Sequence, residues 1–162
     1  MAWTTPKTWA ALETLTSTDM NTYVRDNTAY LKNRPSQSHI RTTADGDTSS
    51  TSTTFATIPS FSLSITPVTT KILVCWGAFF TRSGTLGLQA EAEIFLDSVS
   101  QFSIWRSQGY GSEGGYTAGA RILTVTAGVS HTVDIRWKVA SGATIVMDVT
   151  QAIPSSLFIM EI

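Results

Sequence analysis

The chain has 162 residues, 42% of them hydrophobic and only 14% charged, with a net charge of −1. That length fits one domain of ordinary size with an appendage, and Ser and Thr make up for a charge content well below the roughly 25% usual in soluble domains. No basic patch points to nucleic acid, no apolar run approaches the ~20 residues of a membrane span, and the single Cys75 excludes an internal disulfide framework.

The first residues lack the charged and apolar regions of a signal peptide, so the expectation is synthesis in a cytoplasm without export by the ordinary route. Trp3, Pro6 and Trp9 follow. Two indoles flanking a proline describe an extended segment lying on something apolar, either its own domain or a neighbouring protein. Thr16 with Asp19 three residues on has the form of a capping box, and Leu15 and Met20 stand at staple spacing. From there Met20, Tyr23, Val24, Tyr30 and Leu31 are expected largely on one helical face, interrupted by Asn27, with Arg25, Asp26 and Lys32 pointing away. Pro35 ends the pattern. A helix of about 17 residues is marginal alone in water, so its stripe needs a partner surface.

Residues 35–54 are rich in Ser, Thr and Gln and read as a linker holding one short strand, 39–43. Asp45-Gly46-Asp47 lacks the further oxygen ligands of a calcium loop and reads as a turn. Strand signals then follow one another. Phe61, Leu63 and Ile65 alternate with hydroxyl residues. Residues 71–80 form an apolar run suited to a central strand covered on both sides. Leu86, Leu88, Ala90, Ala92 and Ile94 alternate with polar residues up to a turn at Asp97-Ser98. Short strands are expected at 102–106, 120–126, 133–139, 144–150 and 157–162. About eight to nine closely spaced strands without a helix between them indicate a mainly β fold, a jelly-roll-like β-sandwich.

The search for chemistry is negative. Glu91 and Glu93 share a strand face, as paired carboxylates of a glycosidase would, but alternation already accounts for them as the wet side. His39 and His131 have no ligand spacing, and Cys75 sits in the most apolar strand. The expectation is no enzyme, no metal site and no cofactor. The glycine-rich stretch 107–119 reads as a loop in which Tyr110, Glu113 and Tyr116 are candidate ligand contacts, since tyrosine supplies area and glycine shape.

Trp3, Pro6 and Trp9, then Glu13 to Thr16, then Asn21-Thr22-Tyr23-Val24-Arg25-Asp26-Asn27 and Leu31 resemble an N-terminal signature of tailed-bacteriophage structural proteins. There a Trp-containing lead-in precedes a helix reading roughly Leu-Asn-x-x-Ile/Val-Arg-Asp-Asn; here Met20 takes the leucine position. The resemblance covers about the first 34 residues closely and the rest in style, where it is similar to small jelly rolls that trimerise on virion fibres and capsid decorations. It implies a virion surface protein with two parts. Residues 1–36 form an attachment arm and helix, with Trp3, Pro6, Trp9, Met20, Val24 and Leu31 docking on a major capsid or tail protein. Residues 37–162 form a β-domain that self-associates as a homotrimer. Capsid decoration or a short head fibre leads; the alternative is a tail-fibre module recognising a host surface glycan. A secreted carbohydrate-binding domain is disfavoured by the missing signal peptide.

Overall fold

The computed structural model describes residues 4–5, 7–8, 13–84, 88–107, 113–149 and 154–162, with the backbone alone at Glu113. The chain divides into two units, Met1–Pro35 and Ser36–Ile162.

In the first unit the capping box forms. Thr16 Oγ1 accepts from the Asp19 N–H at 3.1 Å, and Asp19 Oδ2 accepts from the Thr16 N–H at 3.1 Å. The helix runs through three contiguous stretches, Ser17–Asp19, Met20–Asp26 and Asn27–Lys32, the middle one wound as a π-helix. A π turn takes up one residue more than an α turn. This extra residue corrects the single stripe expected from α periodicity. Asn27 and Tyr30 are buried, whereas Met20, Val24 and Leu31 remain 43%, 50% and 51% exposed. Asn27 is no interruption of the packed face but its centre. Its side-chain oxygen accepts from the Thr4 N–H (2.9 Å) and its amide donates to the Thr4 carbonyl (2.8 Å), clamping the lead-in to the helix. Leu15 and Met20 are both exposed, so the expected staple is not closed.

The second unit holds ten strands: β1 Ser36–Arg41, β2 Thr48–Ser50, β3 Ala56–Ile65, β4 Lys71–Gly84, β5 Ala90–Leu96, β6 Val99–Ser107, β7 Glu113–Thr124, β8 His131–Val139, β9 Ala143–Met147 and β10 Ser155–Glu161. They form two antiparallel sheets. One has the order β3-β8-β5-β6; in the other, β4 pairs along one edge with β7 and along the opposite edge first with β10 and then with β9. β10 covers Ile72 to Gly77, β9 covers Phe80 to Gly84, and β1 and β2 pair in turn with β10 and β9. β9 with β10, and β1 with β2, are therefore two halves of single strand positions. Ten strands fill eight positions, four per sheet, and the chain switches sheets at each step except the β5–β6 hairpin. That winding is a jelly-roll-like sandwich.

The stretch expected as a linker around one short strand at 39–43 is in fact the outer edge of a sheet: that strand is β1, which runs from Ser36 to Arg41, and β2 follows it. Its Ser and Thr side chains carry no periodic signal because an edge strand is held by its backbone pairing. The paired interruptions are tied together: Asp47 Oδ1 accepts from the Val149 N–H at 2.8 Å, and buried Arg41 donates to the carbonyls of Asp45, Gly46 and Pro59.

Between the sheets lie Ile58, Phe61, Ile72, Val74, Phe80, Ile94, Ile135, Trp137, Ile145, Leu157 and Ile159, all buried. Each such side chain contributes about 1.5–3 kcal/mol relative to exposure. A bulge between Thr57 and Ser62, with Ser60 at φ 68°, lets Ile58 and Phe61 both face inward although they are three apart. β7 starts at Glu113, inside the stretch expected to be loop. Gly114 and Gly119 mark close approach of neighbouring side chains rather than a turn: a Cβ at Gly119 would lie 2.6 Å from the Trp76 ring.

Candidate assembly interface

Alternation in β4 sends Ile72, Val74, Ala78 and Phe80 into the core and Leu73, Cys75, Gly77 and Phe79 outward. The strand register extends each outward residue into a row across the sheet. One row is Ser36, Met160, Leu73, Ile122; the next is Ser38, Phe158, Cys75, Ala120; the third is Ile40, Ser156, Gly77, Ala118. Phe79 faces Tyr116, and Val146, Thr81 and Gly114 close the far end. None of these residues is ionised at neutral pH. Tyr116 lies across Gly77, where a Cβ would stand 2.5 Å from its hydroxyl, so the ring lies low over the sheet instead of projecting from it. Ile40, Tyr116, Ala118, Ala120 and Ile122 are exposed, and Leu73, Cys75, Phe79, Val146, Phe158 and Met160 are half-buried.

The outer face of the opposite sheet is built from charge. Glu91 stands between Arg106 on β6 and Lys138 on β8; one carboxylate oxygen accepts from Arg106 at 2.8 Å and the other meets Lys138 Nζ at 2.6 Å. Burial works to raise the Glu91 carboxyl, but hydrogen bonds from Lys138 and Arg106 outweigh it and hold the group below its ordinary value. Glu93 accepts from the Ser100 hydroxyl at 2.6 Å, and Arg136 pairs with Asp134 at 2.8 Å. Arg136 also covers the Phe95 ring, and Lys138 the Phe55 ring. The expectation of Glu91 as a solvated wet-side residue is corrected: it is only 8% exposed and closes an ion trio. Both its oxygens are engaged, one by Arg106 and the other by Lys138.

At one end of that sheet, His131 Nδ1 lies 2.6 Å from Asp97 Oδ2, while its Nε2 lies near both the N–H and the carbonyl of Thr126. The hydrogen bond to Asp97 raises His131 above its ordinary value against the opposing effect of burial. Asp97 is lowered, first by the Thr132 N–H that it accepts. The pair joins the β5–β6 turn to β8, and that turn places Asp97 and Ser98 at positive φ. His39 stands edge-on to Phe61. Asp45-Gly46-Asp47 is a turn whose Asp45 caps Thr42.

Among the described residues no group of three or more His, Cys, Asp or Glu is placed to hold a metal ion, and no helix is long and apolar enough to cross a membrane. Of the residues singled out in the sequence, Trp3, Pro6, Trp9 and Tyr110 lie outside the described residues, as does the Glu113 side chain. Met20, Val24 and Leu31 are exposed on the helix, and Tyr116 belongs to the sheet face, not to a loop. Sequence reading missed Ile40, Ile122, Phe158 and Met160. Ile122, Phe158 and Met160 fall in the strands expected at 120–126 and 157–162, but which of two apolar alternations faces inward is set by register, not by hydrophobicity. The signal present was apolarity on both parities: Leu73, Cys75 and Phe79 alternate with Ile72, Val74 and Phe80.

No protein-family model matches the chain, and no curated protein matches it. Solved structures do. Eiger TNF from S. frugiperda is similar with a TM-score of 0.46 at 12% identity, over 80% of this chain and 94% of that one. A structure of infectious bursal disease virus, Gx strain, is similar with a TM-score of 0.35 at 18% identity, over 78% of this chain. The T13 particle of that virus gives 0.38 at 16%, over 80% of this chain. The similarity spans 37% and 36% of those two viral chains.

Proposed function

We propose that this chain is a non-enzymatic surface protein of a tailed-bacteriophage virion, a capsid decoration or short head fibre, which trimerises through its β-domain and attaches through its N-terminal arm and helix. The observation that carries the reading is the helix. It keeps the Asn-x-x-Val-Arg-Asp-Asn pattern from Asn21 to Asn27, spends Asn27 on clamping its own lead-in, and leaves Met20, Val24 and Leu31 uncovered. A stripe that does not serve its own unit is what a docking helix presents to a groove on another protein. The β-sandwich supports the same reading by what its polar groups do. Glu91, Asp134 and Asp97 are all engaged with cations or hydrogen-bond donors that shape the sheet.

The test uses particles grown without the gene, to which purified protein is added back. The protein is expected to co-sediment with the particle and to decorate the head in negative-stain images. Val24→Asp with Leu31→Asp should abolish co-sedimentation while the protein melts as before. Decoration of tail tips, lost on adding host surface glycan, would replace this reading with a receptor-binding one. Absence of binding to any part of the particle would end both.

A further inference from the structure

The outer face of the β1-β10-β4-β7 sheet carries apolar side chains among small and hydroxyl ones, without a charge, and yet faces outward within its own unit. It is charge-free over five successive rows of β4, from Leu73 to Thr81, and the first ionised side chain along the strand is Lys71 at its rim. With strands about 4.8 Å apart and about 6.7 Å per two-residue step, the face measures roughly 14 Å by 27 Å, near 400 Å² in plan before side-chain relief. Contiguous apolar patches of about that size are the largest that monomers leave open, and they are commonly functional.

We infer that this face is where copies of the chain meet, with Tyr116, Ile122, Phe158 and Met160 as the buried anchors. The inference rests on the self-association proposed above and names the surface that performs it. Charge decides the occupant. A flat, charge-free face is matched by another such face, and among the described residues the outer surface of the second sheet carries Glu91, Glu93, Arg106, Asp134, Arg136 and Lys138. A copy presenting that charged side would strand ions against hydrocarbon, at a penalty no apolar contact of this size offsets. Like face against like face, turned to a common symmetry axis, leaves every charge in water. Stable interfaces bury about 800 Å² per partner, and the plan area of this face, with Ile40 already inside it, supplies about half of that before side-chain relief.

Cys75 sits in the middle row between Phe158 and Ala120, and it is the only cysteine of the chain. It therefore reports on this face without any substitution. The experiment combines sedimentation of the full-length protein at about 10 μM with maleimide labelling of Cys75. The expected result is an oligomer whose thiol labels at least tenfold more slowly than after dissociation in mild denaturant below the unfolding transition. Ile122→Asp, at a position 54% exposed, should give a monomer with unchanged circular dichroism and a rapidly labelled thiol. An oligomer with a freely labelled Cys75 would place the contact elsewhere and overturn the inference, as would an Ile122→Asp protein that assembles like the parent. A monomeric parent whose thiol is protected would mean that the chain's own N-terminal segment covers the face, and that too overturns it. Binding to the particle is read separately: an oligomer joined at this face that fails to bind virions would remove the virion proposal and leave the interface standing.

Discussion

The two outer faces of the sandwich are made by the same device, strand alternation, and differ in what the alternate positions hold. On the β3-β8-β5-β6 sheet they hold Glu91, Glu93, Arg106, Asp134, Arg136 and Lys138, joined into pairs and trios across neighbouring strands. On the other sheet they hold Leu73, Cys75, Phe79, Ile122, Phe158 and Met160. Both faces rest on one shared core, so neither pattern is needed to hold the sandwich closed. The contrast lies in charge: one outer face is built from paired ions and the other carries none, and on the self-association proposed above it is the second that loses its water to a partner.

Phe79 and Phe80 test that contrast most sharply, being adjacent in sequence and opposite in direction. Phe80 is fully buried with its ring centroid 5.5 Å from that of Trp105, and Phe80→Ala should lower unfolding stability by about 3–5 kcal/mol in denaturant titration. Phe79→Ala, measured on dilute protein, should lose less than about 1.5 kcal/mol, because the site can refill with water, while weakening assembly. Equal losses would show that the outer face is a second core, sealed within the chain, and the comparison would fail.

The same strand shows how far the sequence could be read. Its apolar run announced a central strand covered on both sides, and the sandwich supplies one of those covers. The sandwich architecture was legible because hydrophobic alternation in 133–139 and 61–65 needs no partner to be seen. β2 was not, and β1 showed only as a short strand over 39–43, since an edge strand of Ser and Thr is held by backbone pairing that leaves no trace in side-chain period. The first half of β7 was hidden because Gly114 and Gly119 serve close packing, yet glycines otherwise announce a turn. Of the candidate site, Met20, Val24 and Leu31 were visible as a stripe. Their separation from Asn27 and Tyr30 was not, because π winding breaks the 3.6-residue period on which the reading depends.

On the wet face, Glu91 and Glu93 sharpen the comparison from within. Glu91 accepts from two cations and is nearly buried; Glu93 meets one serine hydroxyl. Glu91→Gln should cost about 1–3 kcal/mol, the range for hydrogen bonds involving charged groups and for leaving buried partners unmatched. Glu93→Gln should stay within about 0.5 kcal/mol. If the two variants melt together, the trio is solvated decoration and the wet face is as dispensable as alternation alone suggested.

The smallest expected effect lies at the end of the wet sheet, where His131 meets Asp97. His131 titrates above its ordinary value in the folded chain, so its contribution is complete below about pH 6.5, the unfolded value, and is lost as pH rises through the folded one. Asp97 titrates below its ordinary value, so its contribution is present above about pH 3.9 and is lost as pH falls through the folded one. Both are in force only between those limits, and stability attributable to the pair should peak near pH 4–6.5. Asp97 is well exposed at its side chain, so solvent screening keeps the gain under about 1 kcal/mol. The fold itself does not depend on the charge. Nε2 has the Thr126 carbonyl to donate to when protonated and the Thr126 N–H to accept from when neutral, so the ring keeps a partner in either state. Melting temperatures of the parent and of His131→Asn, taken from pH 4 to pH 8, should therefore differ most at the acidic end and converge toward neutrality without a change in cooperativity. A difference that widens above pH 7 would mean that the neutral ring is the stabilising form, and Asp97 would then be a turn residue that merely neighbours it.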